Sequence, residues 1–363
     1  MIERSDAIFR SPDLLIRGVA GGGDVAFVSF DCYTEQDTVD RPGFGEVFFE
    51  ALGIPAFHIL HRRNHWFQHP ELPEALAALR PHLAGYRKVV VYGSSMGGFA
   101  ALAYGSLLGA HIGLALSPQY SVDPKVAPFE SRWRADIRRI RFLKPDRAPP
   151  LPRQFIAFDP ADAADARHAA LFADRSPTVL IPARHGGHPV GAFLNETGVL
   201  RALIDRLVTD DDDSHLAAEM IARLRAGRRS SGQYLFGLAR RIPMRRLRSK
   251  LAVAKLASDT GVPVYQSHYA ALLDQCGRHS EALAIHRLAC AHPDPNPAAF
   301  WNLMAHHVAL GQEGEAERIA REGLRRYPRS PQLRRKLRIL ALRRRLRLDR
   351  LAPSIGRRVL LGA

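Results

Sequence analysis

Residues 89–102 read Val-Val-Val-Tyr-Gly-Ser-Ser-Met-Gly-Gly-Phe-Ala-Ala-Leu, and this segment is the most informative one for the fold. The valines at its start predict a buried strand, and the small residues at its end predict a helix. Gly93 to Gly97 fits the pattern G-x-S-x-G, in which a serine occupies a strained strand-to-helix turn. We therefore predict that Ser95 projects from the turn, beside the unpaired N–H groups of the helix start. The alternative is a glycine-rich turn without chemistry.

The composition is that of a globular protein. A chain of 363 residues predicts two domains, and 46% apolar with 24% charged residues leaves little room for disorder. Cys32, Cys276 and Cys290 lie far apart without CxxC spacing, which argues against a disulfide scaffold and a structural zinc site and favours a reducing cytoplasm. We expect neither a secretory signal nor a membrane-spanning segment, because no long apolar run is present.

Short apolar strands alternate with helical patterns over the first two hundred residues. Two strands are predicted within residues 12–30, and others at 54–60, 89–92, 111–116, 154–158 and 178–181. Helices are predicted at 73–83, 96–108 and 190–207. This alternation predicts an α/β fold with a mostly parallel sheet, whose sites lie at the carboxyl ends of the strands.

The later part of the chain lacks convincing strands. Within residues 265–293 and 300–328, positions that lie 34 apart match, as Gly277 and Gly311 do, and the two segments resemble tetratricopeptide repeats. Residues 235–263 are a candidate for a degenerate third repeat, and the alternative is a nonspecific helical bundle. With a boundary at the acidic run 210–213, we predict four segments. They are an α/β domain at 1–208, a linker and helical segment at 209–264, two repeats at 265–330, and a basic amphipathic tail at 331–363.

A serine nucleophile needs a base, and the candidates follow the last predicted strand. His185 and His188 lie in the loop Ala183-Arg184-His185-Gly186-Gly187-His188. The two glycines permit a sharp loop, and His188 directly precedes a helical pattern. We therefore predict His188 as the base and keep His185 as the alternative.

The base needs an orienting acid, and three aspartates follow the strand at 154–158. We rank Asp165 first because it precedes a helical pattern from which its carboxylate can turn toward His188. Asp159 comes second and Asp162 third. Each of the three has an alternative role as a helix cap or in an Asx turn.

Residues 24–208 resemble an α/β-hydrolase, and the sequence G-S-S-M-G-G from Gly93 is similar to serine esterases and acyl-transfer relatives. The resemblance implies Ser95 as nucleophile, His188 as base, an aspartate of the 159–165 loop as acid, and an acyl-enzyme intermediate. It also implies two oxyanion donors. One is the Met96 N–H, and the other belongs to Asp31 or Cys32, of which we choose Cys32. The chain lacks the His-Gly-Gly run of common lipases at that loop.

The formal net charge of +16 is concentrated near the end of the chain. Residues 329–358 hold twelve Lys or Arg and one acidic residue, interleaved with leucines as in an amphipathic helix. We expect this tail to cap the repeats, with contact to an anionic membrane surface as the second expectation and nucleic acid as the last.

Basic residues also crowd the segment 119–153, which precedes the aspartates. Guanidinium groups suit carboxylates and phosphates, so this segment predicts an anionic substrate, such as an ester on an acidic glycan. A solvated helix face is the alternative. We expect the histidines at 58, 61 and 65 to line the entrance of the same substrate site and to hold no metal. No phosphate-binding or dinucleotide motif is present, and we expect no cofactor.

These patterns predict a serine hydrolase that acts on a carboxylic ester, as an esterase, a deacetylase or an acyltransferase on a glycan. The repeats are expected to recruit a protein partner. Two other functions are open to this sequence. One is a non-catalytic interaction scaffold that uses the helical repeats, and the other is a cationic surface-binding protein.

Overall fold

The computed structural model describes residues 7–345 except 35, 139, 143–148, 211, 213 and 329. Residues 346–363 of the predicted tail and Arg139, Lys144 and Arg147 of the basic segment therefore lie outside the described residues. The chain divides into two units, Met1–Ser230 and Ser231–Ala363. Within the described ranges, no helix combines the length and the apolar character needed to cross a bilayer.

The described part of the first unit contains one eight-stranded sheet. Its strands are β1 (Phe9–Arg10), β2 (Leu14–Val19), β3 (Val25–Phe30), β4 (Ala56–His61), β5 (Lys88–Ser94), β6 (Ile112–Leu116), β7 (Arg153–Phe158) and β8 (Thr178–Pro182). The order across the sheet is β1-β2-β4-β3-β5-β6-β7-β8. β2 pairs antiparallel with β1 and β4, and all other pairs are parallel. The predicted α/β class with a mostly parallel sheet is confirmed.

Helices lie between or after these strands, and those between parallel neighbours make the crossovers that parallel pairing requires. They are α1 (Glu46–Leu52), α2 (Leu72–Leu83), α3 (Met96–Tyr104), α4 (Arg134–Ile137), α5 (Ala163–Ala173), α6 (Gly191–Glu196), α7 (Val199–Thr209) and α8 (Leu216–Gly227). The predicted helix at 190–207 is two helices, because Gly198 adopts a φ of 70° between them. The predicted helix at 96–108 is α-helical only to Tyr104 and ends in a 3₁₀ turn.

β5 lies near the middle of the sheet and is buried along its whole length. Every residue of β3 and of β5 is buried, as expected for strands covered on both faces. The carboxyl end of β5 therefore lies between the ends of β3 and β6 and leads directly into α3. The predicted end of this domain is residue 208. The first unit extends to Ser230, because α8 packs on α7 and β8.

The described part of the second unit is all helical. Its helices are α9 (Gly232–Arg241), α10 (Leu247–Ser258), α11 (Pro263–Gln275), α12 (His279–Ala291), α13 (Pro297–Ala309), α14 (Glu313–Arg326) and α15 (Pro331–Arg345). α11 pairs with α12 and α13 pairs with α14, and the second pair begins 34 residues after the first. Gly277 and Gly311, with φ of 75° and 73°, form the turns at matching positions.

The close approach of α3 to β3 generates a stability prediction. A Cβ at Gly97 would overlap the carbonyl oxygens of Phe30 and Asp31, which are backbone atoms and cannot swing aside. We expect Gly97→Ala to lower the free energy of unfolding by about 1–3 kcal/mol, as overpacking usually does. Gly22→Ala is the control, because nothing lies within 4 Å of its Cβ position. Urea unfolding measures both variants, and equal midpoints would contradict the packing described here.

Candidate active site

Ser95 lies at the junction of β5 and α3 in a conformation that non-glycine residues rarely adopt. Its φ is 53° and its ψ is −114°. The backbone N–H of Ser95 donates to the Leu116 carbonyl of β6 at 2.8 Å, which fixes the turn to the neighbouring strand. A Cβ at Gly93 would overlap the backbone of Gly97, so the bend needs glycine at that position. The junction therefore holds Ser95 Oγ beyond the carboxyl end of the strand.

Ser95, His188 and Asp165 form a continuous hydrogen-bonded chain. His188 Nδ1 lies 2.9 Å from both carboxylate oxygens of Asp165. Because a carboxylate only accepts, the proton is on Nδ1, and Nε2 is left to accept. Ser95 Oγ lies 2.9 Å from that Nε2. The Asp165 side chain is fully buried, and the His188 side chain is 12% exposed. The structure thus brings together the three residues that the sequence analysis ranked first.

The other candidates for acid and base have structural contacts. Asp162 caps α5 by accepting from the N–H groups of Ala164 and Asp165. Asp159 accepts from the N–H groups of His185 and Gly187, and it thereby shapes the loop that carries His188. His185 has a φ of 68° in that loop. These contacts position Asp165 and His188 from outside the hydrogen-bonded chain.

Gln119, which no sequence motif singles out, also contacts Ser95. Its Nε2 donates to Ser95 Oγ at 2.8 Å and lies 3.3 Å from His188 Nε2. Trp66 Nε1 donates to Gln119 Oε1 at 3.2 Å. An indole N–H only donates, so it fixes which end of the amide faces Ser95. The signal in the sequence was a polar residue just after β6, the strand beside the Ser95 turn.

A family model described as "Alpha/beta hydrolase family" matches residues 9–274. The chain belongs to this family. Similar solved structures include MGS-M1, an alpha/beta hydrolase from a Medee basin deep-sea metagenome library. It is 16% identical, with 60% of this chain and 98% of that chain covered and a TM-score of 0.39. No curated protein matches the chain.

Two further solved structures resemble this alpha/beta hydrolase in fold. Esterase 2 of Thermogutta terrifontis is 16% identical, with 57% of this chain and 94% of that chain covered and a TM-score of 0.42. The capsule O-acetyltransferase of Neisseria meningitidis serogroup A is 12% identical, with 56% and 94% covered and a TM-score of 0.40. At such identities the likeness concerns the fold alone.

The two expected oxyanion donors differ in their surroundings. Met96 is the first residue of α3, so its N–H has no carbonyl partner within the helix. The Cys32 N–H hydrogen-bonds the Asp31 carboxylate. That carboxylate also pairs with Arg41, and burial raises the pKa of Asp31 to about 6 although Arg41 opposes the rise. The Cys32 N–H is therefore engaged within its own loop, and Gln119 is the donor that contacts Ser95 Oγ.

Arg132 and Glu130 support Asp165 from the segment that precedes β7. Arg132 Nη1 lies 2.8 Å from Asp165 Oδ1, and its Nη2 lies 2.6 Å from Glu130 Oε2. Burial favours a higher pKa for Asp165, but the His188 hydrogen bond and the Arg132 charge outweigh it and hold the pKa below its ordinary value. Asp165 therefore stays ionised at neutral pH. The Arg132 guanidinium is paired with the carboxylates of Asp165 and Glu130.

His168 completes this buried network. Its Nδ1 accepts from the Tyr120 N–H at 3.1 Å, so its proton lies on Nε2, which is 3.1 Å from Glu130 Oε2. Burial works to raise the pKa of Glu130, but hydrogen bonds from His168 and Arg132 hold it well below the ordinary 4.5. One buried carboxylate thus fixes both the histidine and the arginine behind Asp165.

Aromatic side chains flank His188. The Trp133 ring centroid lies 6.1 Å from that of His188, 5.1 Å from Tyr33 and 5.6 Å from Trp66. Among the described residues, the buried Trp133 Nε1 has no hydrogen-bond partner. These three rings form an apolar wall beside the reactive groups, with one free N–H donor.

The network around Glu130 generates a pH-dependent prediction. Because its pKa is lowered in the folded protein, its stabilisation is complete above about 4.5 and is lost as the pH falls toward the folded value. We expect Glu130→Gln to lower the free energy of unfolding by about 1–3 kcal/mol at pH 7, as for hydrogen bonds to charged groups. The difference from wild type should shrink in acid.

Urea unfolding at pH 7 and below pH 4 measures this difference. Glu74→Gln on the exposed face of α2 is the matched control and should change little at either pH. A deficit in Glu130→Gln that stays constant across the acid range would contradict the assignment.

Proposed function

We propose that this alpha/beta hydrolase cleaves or transfers an acyl group from a carboxylic ester through a serine mechanism. The observation that carries the proposal is the chain Ser95 Oγ, His188 Nε2, His188 Nδ1 and Asp165, with both links at 2.9 Å. A serine hydroxyl is a weak nucleophile on its own, and this arrangement supplies a neutral imidazole as its base. The ionised Asp165 stabilises the imidazolium that forms when that base takes a proton.

In the proposed acylation, Ser95 Oγ attacks the ester carbonyl carbon while its proton passes to His188 Nε2. The carbonyl electron pair moves to oxygen, which is stabilised by the Met96 N–H at the start of α3. When the tetrahedral intermediate collapses, the bond to the leaving alcohol breaks. His188 returns the proton to that alcohol, and the acyl group remains on Ser95 as an ester.

Deacylation repeats these steps with a new nucleophile. His188 Nε2 removes a proton from water or from an acceptor hydroxyl, whose oxygen attacks the acyl carbon. Collapse then returns the proton to Ser95 Oγ. Water gives an esterase or deacetylase, and a sugar hydroxyl gives an O-acyltransferase. For a sugar ester, the rings of Tyr33, Trp66 and Trp133 offer apolar faces. Arg134, which follows Trp133 in the chain, and Arg138 at the end of α4 are exposed and suit an anionic glycan.

Gln119 has a defined part in this mechanism. Its amide N–H occupies one acceptor position of Ser95 Oγ, which leaves the hydroxyl proton directed at His188. The same hydrogen bond strengthens as negative charge develops on Oγ, both in attack and when Oγ leaves during deacylation. We therefore include Gln119 among the catalytic residues.

For the second unit, we propose that α11 to α14 form two tetratricopeptide-like repeats that recruit a protein partner. The spacing of 34 between the helix pairs supports this, as do the matching glycine turns. Gly323 supports it as well, because a Cβ there would lie 2.9 Å from Phe300 Cβ, so a small residue is needed where α14 meets α13.

A fluorophosphonate probe and a chromogenic acetyl ester test the serine mechanism. The probe should label wild type, and wild type should hydrolyse the ester. Ser95→Ala and His188→Ala should lose roughly 10⁴-fold or more in kcat, because triad members act as a unit. Asp165→Asn should lose about 10²–10⁴-fold. Asp162→Asn is the matched control, since asparagine keeps the helix cap, and it should stay near wild type. Unchanged labelling of Ser95→Ala would contradict the proposal.

Gln119→Leu tests the contribution of the amide. The substitution removes a hydrogen-bond donor to Ser95 Oγ, which gains negative charge in the transition state. Loss of a donor to a developing anion typically costs about 10²–10³-fold in kcat, and we expect a loss of that order with little change in KM. Trp66→Phe keeps Gln119 but removes the N–H that orients it, so its loss should be smaller and in the same direction. Turnover of Gln119→Leu at the wild-type rate would remove Gln119 from the mechanism.

A further inference from the structure

Three histidines surround one carboxylate inside the second unit, far along the sequence from the residues discussed above. Asp274 lies near the end of α11, His279 and His286 lie on α12, and His306 lies on α13. His306 Nδ1 is 2.7 Å and His279 Nδ1 is 3.0 Å from Asp274 Oδ1, while His286 Nε2 is 3.0 Å from Oδ2. Four side chains from three helices thus converge on one point.

The separations of three of these ligand atoms fit the first coordination shell of a small divalent cation. One ligand atom each of Asp274, His286 and His306 lies within 4.8 Å of the other two. His279 lies outside this group, so its partly exposed side chain must turn toward the other three to reach the same ion. In a tetrahedral zinc site with bonds of about 2.0–2.1 Å, neighbouring ligand atoms are roughly 3.3 Å apart. The imidazole nitrogens are already near that distance from the carboxylate oxygens, so small side-chain shifts admit an ion.

The partners of Asp274 distinguish this cluster from a surface ion pair. Among the described residues, its ion-pair partners are all histidines, and no arginine or lysine neutralises the carboxylate. A second cluster, formed by Asp13, His69 and Glu71, differs in this respect because Arg63 pairs with Asp13 at 3.4 Å. The charge of Asp274 is thus available to a cation.

Burial gives the cluster a closed side and an open side. The side chains of His286 and His306 are 0% and 1% exposed, whereas those of Asp274 and His279 are 17% and 31% exposed. The open side is thus at Asp274 and His279, and a bound ion would lie against the two buried rings. Asp274, His286 and His306 supply three nitrogen and oxygen ligands, and His279 completes the four-coordination that zinc prefers once its side chain turns toward the ion.

We propose that Asp274, His279, His286 and His306 bind one Zn²⁺ ion that links α11, α12 and α13. The site revises the expectation of no metal, which rested on cysteine spacing and on the histidines near residue 60. Because its ligands come from three helices, ion binding opposes their separation and stabilises the second unit. It stands apart from the proposed ester chemistry, since none of its residues belongs to that site.

The full-length chain, freed of any purification tag and stripped with chelator, tests this proposal. After dialysis with Zn²⁺ and then against metal-free buffer, wild type should retain about one zinc per chain by atomic emission. Co²⁺ should give the visible absorption bands of a tetrahedral site. Zn²⁺ should also raise the midpoint of thermal unfolding in wild type.

Asp274→Asn and His286→Gln should lose the retained zinc and the shift in midpoint, whereas His215→Ala, with an exposed histidine in the first unit, should behave as wild type. His279→Ala removes a partly exposed ligand and should bind at least about 10-fold more weakly. If Asp274→Asn or His286→Gln fails to fold, zinc retention by His279→Ala tests the proposal instead. A wild type that retains no zinc, or an Asp274→Asn or a folded His279→Ala that retains zinc like wild type, would overturn the proposal. Asp274 would then be only a hydrogen-bond acceptor.

Discussion

The left-handed backbone at Ser95 is the constraint on which the candidate site depends. A non-glycine residue with a φ of 53° persists only when its surroundings hold it. Here the Ser95 N–H is bonded to Leu116 of β6, and α3 lies so close to β3 that Gly97 has no room for a side chain. The parallel sheet therefore positions one hydroxyl at the carboxyl end of β5, where the loops after β6 and β8 reach it.

Those loops are held by polar groups that are themselves paired. Asp159 accepts N–H groups of the His188 loop, and Arg132 shares Asp165 with His188. Glu130 in turn holds Arg132 together with His168. A buried charge costs free energy unless it is compensated, and here each carboxylate has a cationic or N–H partner. The network thus fixes the imidazole and keeps Asp165 ionised.

Local patterns predicted much of this arrangement. Consecutive valines, the glycines around Ser95 and the Gly186-Gly187 loop act through neighbouring residues, so the strand, the turn and the placement of His188 were readable from the chain. Gln119, Glu130 and the Asp274 cluster were not, because tertiary packing alone brings their partners together. The same reason accounts for α8: its packing on β8, not its composition, places it in the first unit.

The proposed mechanism requires Ser95 to carry the acyl group during turnover. The most direct measurement is mass spectrometry of the peptide containing Ser95, taken from protein quenched in acid during turnover of a chromogenic acetyl ester. We expect one acetyl group on Ser95 during turnover, and we expect it to decay when the ester is exhausted. Ester turnover without acetylated Ser95, or with the acetyl group on another residue, would contradict it.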